Sequence, residues 1–535
     1  MENLRLGNIL TNIAELSKAN PDQKKALLLM SAARTIRDYP GDIEKVYYEG
    51  RLRDLPGMNE LAYKYTDQYF SEGYIEEYQE ITSEYSEGLL KLIRMSGLGR
   101  KKMEKIYRTL GTKDIKDLKD KIYSKDISKY LDDFTVDRLK ATIGYYENVR
   151  GYMPRGYMEN LIKPFMLKVR GIKEVKKLEL VGSFRRRKAA VGDVDLIVLT
   201  EFNNKELNRE LSKRFLDSLL KFEGISSKKS QKIIGESISY RYRTKFGLDL
   251  EVILATENNW ALQLFYCTGS KRHISLIENT ARDKGFYKQG RVHFQKPALS
   301  EEEIYDNLGL CFIPPELREG KDEIYLARTG NMPNLLSIKD IRGDLHTHSK
   351  WSDGLIEDKE FSEIIDKYGY EYLALTDHSE SNIHGNGLDG ERLLDKLNHR
   401  GSFNEISKKA KILMGSEVDI KAGGRLDYRE EILSKLDIVI GSMHSSYKYS
   451  SRENNLRVSN ALKNKYVDFI GHPTAVVFDN RAPHFIDMDK VIEDARRYNK
   501  GLEINSYFLR LDLNEENARK AKQAGIKIVI NTDSH

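Results

Sequence analysis

The spacing of apolar residues divides the chain into parts with different predicted structure. Apolar residues recur every three to four positions through much of residues 1–150, which predicts amphipathic helices. From about residue 175 the pattern changes to short apolar runs such as KLELVGSF, VDLIVLT, ISYRYRT and LDLEVILA, which predict strands. Helical spacing returns in 257–284 and 301–310. The run RTGNMPNLLSIKDI (328–341) combines Gly, Asn and Pro, a composition typical of a linker.

A regular alternation of strands and helices is predicted after Arg342. Seven apolar runs of strand length follow one another, and helix-like segments separate most of them. The runs are DLHTH, YLALTDH, ILMGSEV, DIVIGSMH, VDFIGHP, GLEINS and IKIVINTDSH. Such an alternation predicts a parallel α/β barrel. The fold class predicted for the whole chain is therefore multidomain, with α+β and α/β parts.

Composition narrows the class of protein. A chain of 535 residues with 40% hydrophobic and 32% charged residues is globular, and it is long enough for about three to five domains. No apolar run reaches the roughly 18–20 residues of a membrane span, and the N-terminus lacks the features of a secretory signal. The two cysteines, Cys267 and Cys311, cannot form a disulfide framework. We therefore expect a cytoplasmic protein, and nothing in the sequence requires an oligomer, so we expect a monomer.

The net charge of +6 is unevenly distributed. Residues 341–535 contain 29 Lys and Arg against 32 Asp and Glu, so the basic excess lies in the first 340 residues. A basic front part suits a polyanionic partner, although an ordinary solvated surface explains the same charge equally well. Nine of the eleven histidines lie in the last 195 residues, and this clustering indicates a metal site.

Three carboxylates of the middle part form the first candidate site. Asp193 and Asp195 stand two residues apart at the start of the run VDLIVL, so a strand would project both side chains to one face. Asp249 would add a third carboxylate from a neighbouring strand. Three carboxylates can hold two Mg²⁺ or Mn²⁺ ions together with substrate phosphates.

A short segment upstream of these carboxylates is suited to phosphate binding. Gly182 and Ser183 stand at a predicted strand end before a helix, where backbone N–H groups bind phosphate well. Arg185, Arg186 and Arg187 would add cationic donors for a triphosphate. A polar strand edge followed by a solvated basic helix is the alternative reading of the same residues.

The predicted barrel strands repeat one arrangement, in which a metal-ligand residue type stands at or near the strand's C-terminal end. Catalytic groups gather at this end in α/β barrels, and mixed imidazole and carboxylate ligands suit Zn²⁺, Mn²⁺ or Fe²⁺. Clustered metals favour hydrolysis of phosphate esters. The predicted ligands are His346, His348, Asp353, His378, Glu417, His444, His472, Asp533 and His535. Because the chain ends at His535, we expect this ligand to fray, which would weaken the hydrolytic activity that the ligand set indicates.

A glycine-containing turn in the front part is a candidate DNA-binding element. In MSGLGRKKMEKIY (95–107), Gly97 and Gly99 allow backbone N–H groups to approach a DNA phosphate, and three basic residues follow. The predicted DNA-binding residues are Gly97, Gly99, Arg100, Lys101 and Lys102. The alternative is an ordinary turn between helices.

The middle part resembles the family X DNA polymerases, the group that includes polymerase beta. By that resemblance Asp193, Asp195 and Asp249 are the catalytic, metal-binding carboxylates. YCTGSK (266–271) is similar to the family's YFTGS motif, and FIPPELREG (312–320) is similar to the end of the thumb in bacterial-type members. The resemblance implies that the nucleotide is bound by Gly182, Ser183, Arg186, Gly192, Tyr266 and Gly269.

The chain departs from the family pattern at three positions near the nucleotide. Cys267 replaces an aromatic residue, which puts sugar discrimination in doubt, Ile274 replaces a usual Asn, and Glu278 stands where a basic residue is common. A carboxylate near phosphate is unfavourable. We therefore expect slower or less faithful synthesis than in a typical member.

Two further resemblances concern the ends of the chain. SGLGRKK resembles a helix–hairpin–helix motif, and LPGMNELAYKYTDQYF (55–70) resembles a degraded first hairpin with Asn59 in place of a glycine. Lys64 lies near the lysine that performs the lyase reaction in eukaryotic relatives, but we read it as a solvated helix residue. The strand-end ligands resemble those of the PHP (polymerase and histidinol phosphatase) domain, a distorted seven-stranded barrel with a three-metal site, in which Mn²⁺ and/or Zn²⁺ are expected.

These resemblances predict the domain order. We expect an N-terminal helical domain like the 8-kDa domain of polymerase beta, helix–hairpin–helix fingers, a palm, a thumb, a linker and a PHP phosphoesterase domain. Their predicted bounds are 1–80, 81–150, 151–260, 261–327, 328–341 and 342–535.

The expected function is gap filling by a DNA-directed DNA polymerase in DNA repair, including base excision repair, with a 3′–5′ exonuclease in the PHP domain. The expected partners are gapped or nicked DNA and dNTPs. Three alternatives stay open: chiefly a 3′-end-processing nuclease whose palm positions DNA, a template-independent nucleotidyltransferase, and a non-catalytic DNA-binding scaffold.

Overall fold

The structure is a computed structural model. It describes residues 2–17, 23–39, 41–112, 114–200, 225–234, 237–244, 249–357, 360–401, 410–444 and 449–535. Among these residues, no helix has both the length and the apolar character needed to cross a bilayer.

The chain forms two compact units. The split unit consists of residues 1–150 together with 337–535, and the inserted unit consists of residues 151–336. Each unit is described by itself below.

The N-terminal part of the split unit is helical. Its helices are α1 (Glu2–Ser17), α2 (Gln23–Asp38), α3 (Ile43–Tyr48), α4 (Glu60–Glu72), α5 (Glu76–Glu84), α6 (Glu87–Ser96), α7 (Arg100–Leu110), α8 (Ile115–Ile122) and α9 (Asp133–Val149). Two buried clusters hold them together, one centred on Leu10 and Leu29 and one on Leu92 and Leu139. Short polar side chains start several of these helices, as N-capping requires.

Asn59 shows why the first hairpin lacks a glycine. Its Oδ1 accepts a hydrogen bond from Ala62 N at 3.1 Å and so caps α4, while its Nδ2 donates to Leu28 O at 2.9 Å. A glycine could make neither bond. Lys64 is exposed on α4, in keeping with its reading as a solvated helix residue.

The inserted unit contains a five-stranded sheet and a helical thumb. Its strands are β1 (Met153–Pro154), β2 (Val175–Leu180), β3 (Ala190–Val191), β4 (Asp193–Thr200), β5 (Ile225–Ile234), β6 (Ser237–Thr244), β7 (Asp249–Ala255), β8 (Tyr287–Lys288) and β9 (Arg291–Val292). Its helices are α10 (Arg155–Arg170), α11 (Gly182–Arg185), α12 (Trp260–Thr268), α13 (Lys271–Asp283), α14 (Glu301–Asn307) and α15 (Glu323–Thr329).

The order of the five-stranded sheet is β2-β4-β7-β6-β5. β4 and β7 run parallel, and all other neighbours in this sheet are antiparallel. Alternate residues of β4 are buried against α10 in one apolar core, whereas the start of the strand is exposed. This arrangement leaves the first residues of β4 and β7 side by side at an open edge.

The C-terminal part of the split unit is a nearly closed barrel. Its strands are β10 (Gly343–Thr347), β11 (Tyr372–Leu375), β12 (Lys411–Asp419), β13 (Ile438–Ser442), β14 (Phe469–Ile470), β15 (Gly501–Asn505) and β16 (Ile528–Asn531). Its helices are α16 (Glu360–Tyr368), α17 (Gly390–Asn398), α18 (Glu430–Leu433), α19 (Ser451–Lys463), α20 (Met488–Arg497) and α21 (Glu515–Gln523).

The seven barrel strands are parallel and lie in the order of the sequence. The ends of the sheet approach each other, because His348 N donates to Ser534 O and Asp533 N donates to His346 O, both at 2.9 Å. The predicted fold class is thus confirmed, and each of the seven predicted runs contains a strand.

The helical part packs against the barrel. Ala482 N donates to Met95 O at 3.1 Å, and Arg138 Nη1 donates to Pro483 O at 2.9 Å. The rings of Phe134 and Phe485 lie 6.4 Å apart. The sequence predicts separate domains in a row for these parts, whereas the N-terminal helices and the barrel lie in one compact unit.

Candidate functional sites

The three predicted carboxylates of the inserted unit are brought together by strand register. Asp193 of β4 pairs with Asp249 of β7, and Asp195 pairs with Glu251. Burial, together with the charges of Asp193 and Glu251, raises the pKa of Asp195 to about 7. A divalent cation would relieve this repulsion, so the acidic edge fits the metals that the sequence predicts. Sequence reasoning missed Glu251, which is held by Arg241 at 2.7 Å.

A cleft of about 960 Å³ opens beside these carboxylates. It brings Asp193 and Asp195 together with all six predicted nucleotide-binding residues: Gly182, Ser183, Arg186, Gly192, Tyr266 and Gly269. Tyr152, Ser270, Lys271 and Ser275 also line it and were not predicted. The cleft therefore has both the size and the polar lining of a nucleotide site.

Gly182 lies directly against Asp195. Its φ of +62° is in the left-handed region, and a Cβ at this position would lie 2.5 Å from Asp195 Oδ2. An alanine here would therefore displace the carboxylate and strain the backbone.

We expect Gly182→Ala to lower nucleotide insertion at least tenfold, because the added methyl group pushes Asp195 out of its place at the metal site. Single-nucleotide insertion at increasing Mg²⁺ measures this effect. Gly144→Ala is the matched control, since a Cβ there meets nothing within 4 Å. Unchanged insertion by Gly182→Ala would contradict the prediction.

The three arginines after Ser183 are paired with thumb carboxylates. Arg186 Nε donates to Glu319 Oε1 at 2.9 Å, and Arg187 Nε lies 3.1 Å from Glu316 Oε1. Arg185 Nη1 donates to Thr268 Oγ1 at 2.6 Å and contacts buried Glu301. Only Arg186 lines the cleft, so a triphosphate there would compete with Glu319 for its guanidinium group.

The three residues that depart from the family pattern, Cys267, Ile274 and Glu278, lie in the cleft wall and the thumb. Tyr266 Oη donates to Glu278 Oε1 at 3.1 Å and accepts from Val292 N at 2.8 Å. Burial raises the pKa of the Cys267 thiol to about 12, so this side chain is a neutral, small, apolar part of the cleft wall. Ile274 packs against the thumb core.

Glu278 places a negative charge in the cleft. We expect Glu278→Arg and Glu278→Gln to raise insertion efficiency about fivefold, because about 1 kcal/mol of repulsion with phosphate is removed. Glutamine keeps an acceptor for Tyr266, so it separates charge from lost positioning. Single-nucleotide insertion kinetics check this result, and no change in rate or error in either variant would refute it.

The predicted ligands of the barrel converge at the C-terminal ends of its strands. They form three groups, and within each group the ligand atoms lie within 4.8 Å of one another. The groups are His348, Asp353, His378 and His535; His346, His348, Glu417 and Asp533; and His378, Glu417 and His444. His472 joins them, since its Nε2 lies 2.8 Å from Glu417 Oε1. The structure thus brings all nine predicted residues together.

These side chains fit divalent metal ions. Within the described part of the chain, several of their buried polar atoms make no well-aligned hydrogen bond, although some of them face one another at 2.8–3.5 Å: His346 Nε2, His348 Nδ1, His378 Nδ1, both Glu417 carboxylate oxygens, His444 Nδ1 and both ring nitrogens of His472. Such orphaned atoms are costly to bury unless they coordinate an ion. Burial would raise the pKa of Glu417, but the charges of His444, His346 and His378 hold it well below its usual value.

His535 is packed into this centre. Its ring stacks on that of His348 with centroids 3.9 Å apart, and its Nδ1 lies 2.8 Å from Asp533 O. The expected fraying is not what the structure shows, because this ring contact and the pairing of Ser534 with the first strand hold the segment.

Glu503 orients His346 and was missed by sequence reasoning. Its Oε1 lies 2.8 Å from His346 Nδ1, and its Oε2 accepts from His472 N at 2.7 Å. This bond leaves His346 Nε2 facing Asp533 at 3.3 Å and Glu417 at 3.5 Å. A carboxylate that bonds the outer nitrogen of a ligand histidine fixes its tautomer and raises its basicity. The available signal was a charged residue inside the apolar run GLEINS.

Comparisons with known proteins match both the inserted unit and the barrel. Family models match for the DNA polymerase beta palm at residues 152–248, the DNA polymerase beta thumb at 263–319 and the PHP domain at 344–507. A Bacillus subtilis (strain 168) protein named DNA polymerase/3′-5′ exonuclease PolX is 32% identical over 496 residues, which is 90% of this chain and 84% of that protein. A protein of Thermoanaerobacter sp. (strain X514) named as a probable phosphatase is 36% identical over 179 residues, 32% of this chain and 68% of that protein.

The acidic strand edge beside a nucleotide-sized cleft is typical of a metal-dependent nucleotidyltransferase. The barrel of convergent histidines and carboxylates is typical of a metal-dependent phosphoesterase, and one chain contains both. The Bacillus subtilis protein is 32% identical over 90% of this chain, and this similarity narrows the class to one family. The chain belongs to the family X DNA polymerases that have a C-terminal PHP domain.

Proposed function

We propose that this chain is a DNA-directed DNA polymerase that fills short gaps during repair, and that its PHP domain removes nucleotides from 3′ ends. The observation that carries the proposal is that one chain contains two well-formed sites. Asp193 and Asp195 of β4 line a nucleotide-sized cleft with Asp249 of β7 in register beside Asp193, and nine candidate metal ligands converge in the barrel.

In the polymerase reaction, Asp193, Asp195 and Asp249 would hold Mg²⁺ or Mn²⁺, which when bound would lower the pKa of the primer 3′ hydroxyl and stabilise the leaving pyrophosphate. Ser183 and the N–H groups at the start of α11 would bind triphosphate oxygens, with Arg186 released from Glu319. The new bond joins the primer oxygen to the α-phosphorus of the dNTP, and the bond to pyrophosphate breaks.

In the exonuclease reaction, the barrel ligands would hold Mn²⁺ and/or Zn²⁺. When bound, such ions would supply hydroxide at neutral pH and stabilise the leaving 3′ oxygen. Glu503 would keep the Nε2 atom of His346 unprotonated and directed at the ligand cluster. Water adds to phosphorus, the bond to the 3′ oxygen of the shortened strand breaks, and a nucleoside monophosphate is released.

The turn between α6 and α7 would hold DNA. Gly97 and Gly99 have φ values of +64° and +75°, and a Cβ at Gly99 would meet nothing within 4 Å. The backbone is therefore accessible at this turn, and the exposed Lys101 and Lys102 stand in the first turn of α7 beside Arg100. Phosphate contacts of this kind make binding salt-dependent.

A primer labelled at its 5′ end, on a duplex with a one-nucleotide gap, tests both activities with Mn²⁺. Product one nucleotide longer only with the templated dNTP is expected, and shortening is expected without dNTPs. Shortening under both conditions without extension would instead favour a 3′-end-processing nuclease with a DNA-positioning palm. The pairing of Arg185, Arg186 and Arg187 with thumb carboxylates, together with Glu278 in the cleft, favours this second reading.

A further inference from the structure

A cation from the N-terminal helices reaches the metal-ligand cluster of the barrel. Arg34 of α2 lies with its Nη1 2.8 Å from Asp353 Oδ2, and its side chain remains 40% exposed. The two residues are 319 positions apart in the chain. The helical part therefore contributes a side chain to the barrel site itself.

The two oxygens of Asp353 face different groups. Oδ1 lies 3.5 Å from His535 Nε2 and 3.6 Å from His378 Nε2, among atoms that could share a metal ion. Oδ2 contacts Arg34. The guanidinium group of Arg34 thus contacts one oxygen of Asp353, while the other oxygen faces the candidate metal ligands.

A second contact holds α2 against the barrel, at the loop after β15. Asp38, one turn after Arg34, accepts a hydrogen bond from Tyr507 Oη. Residues four apart lie on one face of a helix. The helix is therefore anchored at two points, and the position of Arg34 is set by the fold rather than by a freely rotating side chain.

The cluster has a second guanidinium group beside it. Arg510 Nε lies 3.3 Å from Asp533 Oδ2, and the buried Arg510 Nη1 has no hydrogen-bond partner among the described residues. Arg34 uses one of its five N–H donors on Asp353. Free guanidinium donors beside clustered metal ligands fit a phosphate group, which arginine binds through paired hydrogen bonds.

We propose that Arg34 is a substrate-binding residue of the PHP site and that it contacts the phosphodiester of the 3′-terminal nucleotide. This inference rests on the proposed exonuclease activity. It implies that the nuclease site is shared between the N-terminal helices and the barrel. The ligand is thus a nucleotide phosphate bound between the metal cluster and α2.

The test compares Arg34→Ala, Arg34→Lys and the control Lys24→Ala in the full chain. Lys24 is exposed on the same helix, so its loss matches the change in charge. KM and kcat for a 5′-labelled single-stranded oligonucleotide, inhibition by the product dTMP, bound Mn²⁺ and the unfolding midpoint are measured. For Arg34→Ala we expect KM and the inhibition constant of dTMP to rise at least tenfold, with kcat changed less and bound Mn²⁺ unchanged. Arg34→Lys is expected to restore part of the loss, and Lys24→Ala to behave as the unchanged chain.

The possible outcomes separate this inference from the proposed function. If the unchanged chain shortens no 3′ end, the proposed exonuclease fails and this inference fails with it. If the unchanged chain is active but Arg34→Ala keeps its KM and dTMP inhibition, only the role of Arg34 is overturned. Loss of bound Mn²⁺, a lower unfolding midpoint, or increased activity in Arg34→Ala would also overturn it, since each indicates a structural or blocking role.

Discussion

Replacing Glu417 with glutamine is expected to lower 3′–5′ exonuclease activity by about a thousandfold or more and to lower the bound Mn²⁺ or Zn²⁺. Glu417 belongs to two of the three ligand groups. Its oxygens lie 2.8 Å from ring nitrogens of His378 and His472 and 3.1 Å from one of His444. Removing a residue that hydrogen-bonds a metal ligand lowers metal affinity or activity by roughly 10–100-fold. Removing a ligand shared by two groups should therefore lower activity more.

The measurement is metal content together with the rate of shortening of a 5′-labelled strand. Gap filling by the same preparation shows that the change does not reach the palm, whose carboxylates lie in the other unit. Glu431→Gln, an exposed carboxylate of the barrel, is the matched control. A Glu417→Gln chain that retained exonuclease activity would remove the barrel from the proposed mechanism.

Replacing Asp195 with asparagine is expected to lower gap filling at least a thousandfold while leaving exonuclease activity in place. Asp195 lies against Gly182, and burial together with the charges of Asp193 and Glu251 raises its pKa to about 7. Asparagine keeps the shape but cannot hold a divalent cation against the phosphate of a nucleotide. A shared active site would instead lose both activities.

Single-nucleotide insertion measured over a range of Mg²⁺ and Mn²⁺ concentrations tests this expectation. Asp283→Asn, an exposed carboxylate at the end of α13, provides the control for loss of one negative charge in the same unit. Exonuclease activity of Asp195→Asn shows that the change does not reach the barrel, which lies in the other unit. Retention of templated insertion would show that another group, such as Glu251, is sufficient at the acidic edge.

The parts of both sites that lie at strand ends could be predicted from sequence. A strand projects alternate residues to one side, and parallel strands end at one edge, so DVD and HTH already implied converging side chains. The structure adds that Asp249 is in register with Asp193 and that the first and seventh barrel strands meet. These are consequences of sheet order, which local patterns do not contain.

The residues that sequence reasoning missed depend on long-range packing. Glu503 lies inside a strand and is defined by its bond to His346, 157 positions away. Arg34 is one of several basic residues on a helix, and only the docking of that helix on the barrel distinguishes it. The pairing of Arg186 with Glu319 likewise depends on a contact between residues 133 positions apart, which the sequence pattern does not contain.

The split unit also constrains how the protein is made on the ribosome. Residues 151–336 are synthesised between its two segments, and at about 5–20 residues per second this takes roughly 10–40 s. During that interval the inserted unit can fold, whereas the helices carrying Arg34, Met95 and Arg138 have no barrel to cover them. The polymerase part of a nascent chain is therefore complete before its nuclease, and the exposed helical surface is the point at which a chaperone would be needed.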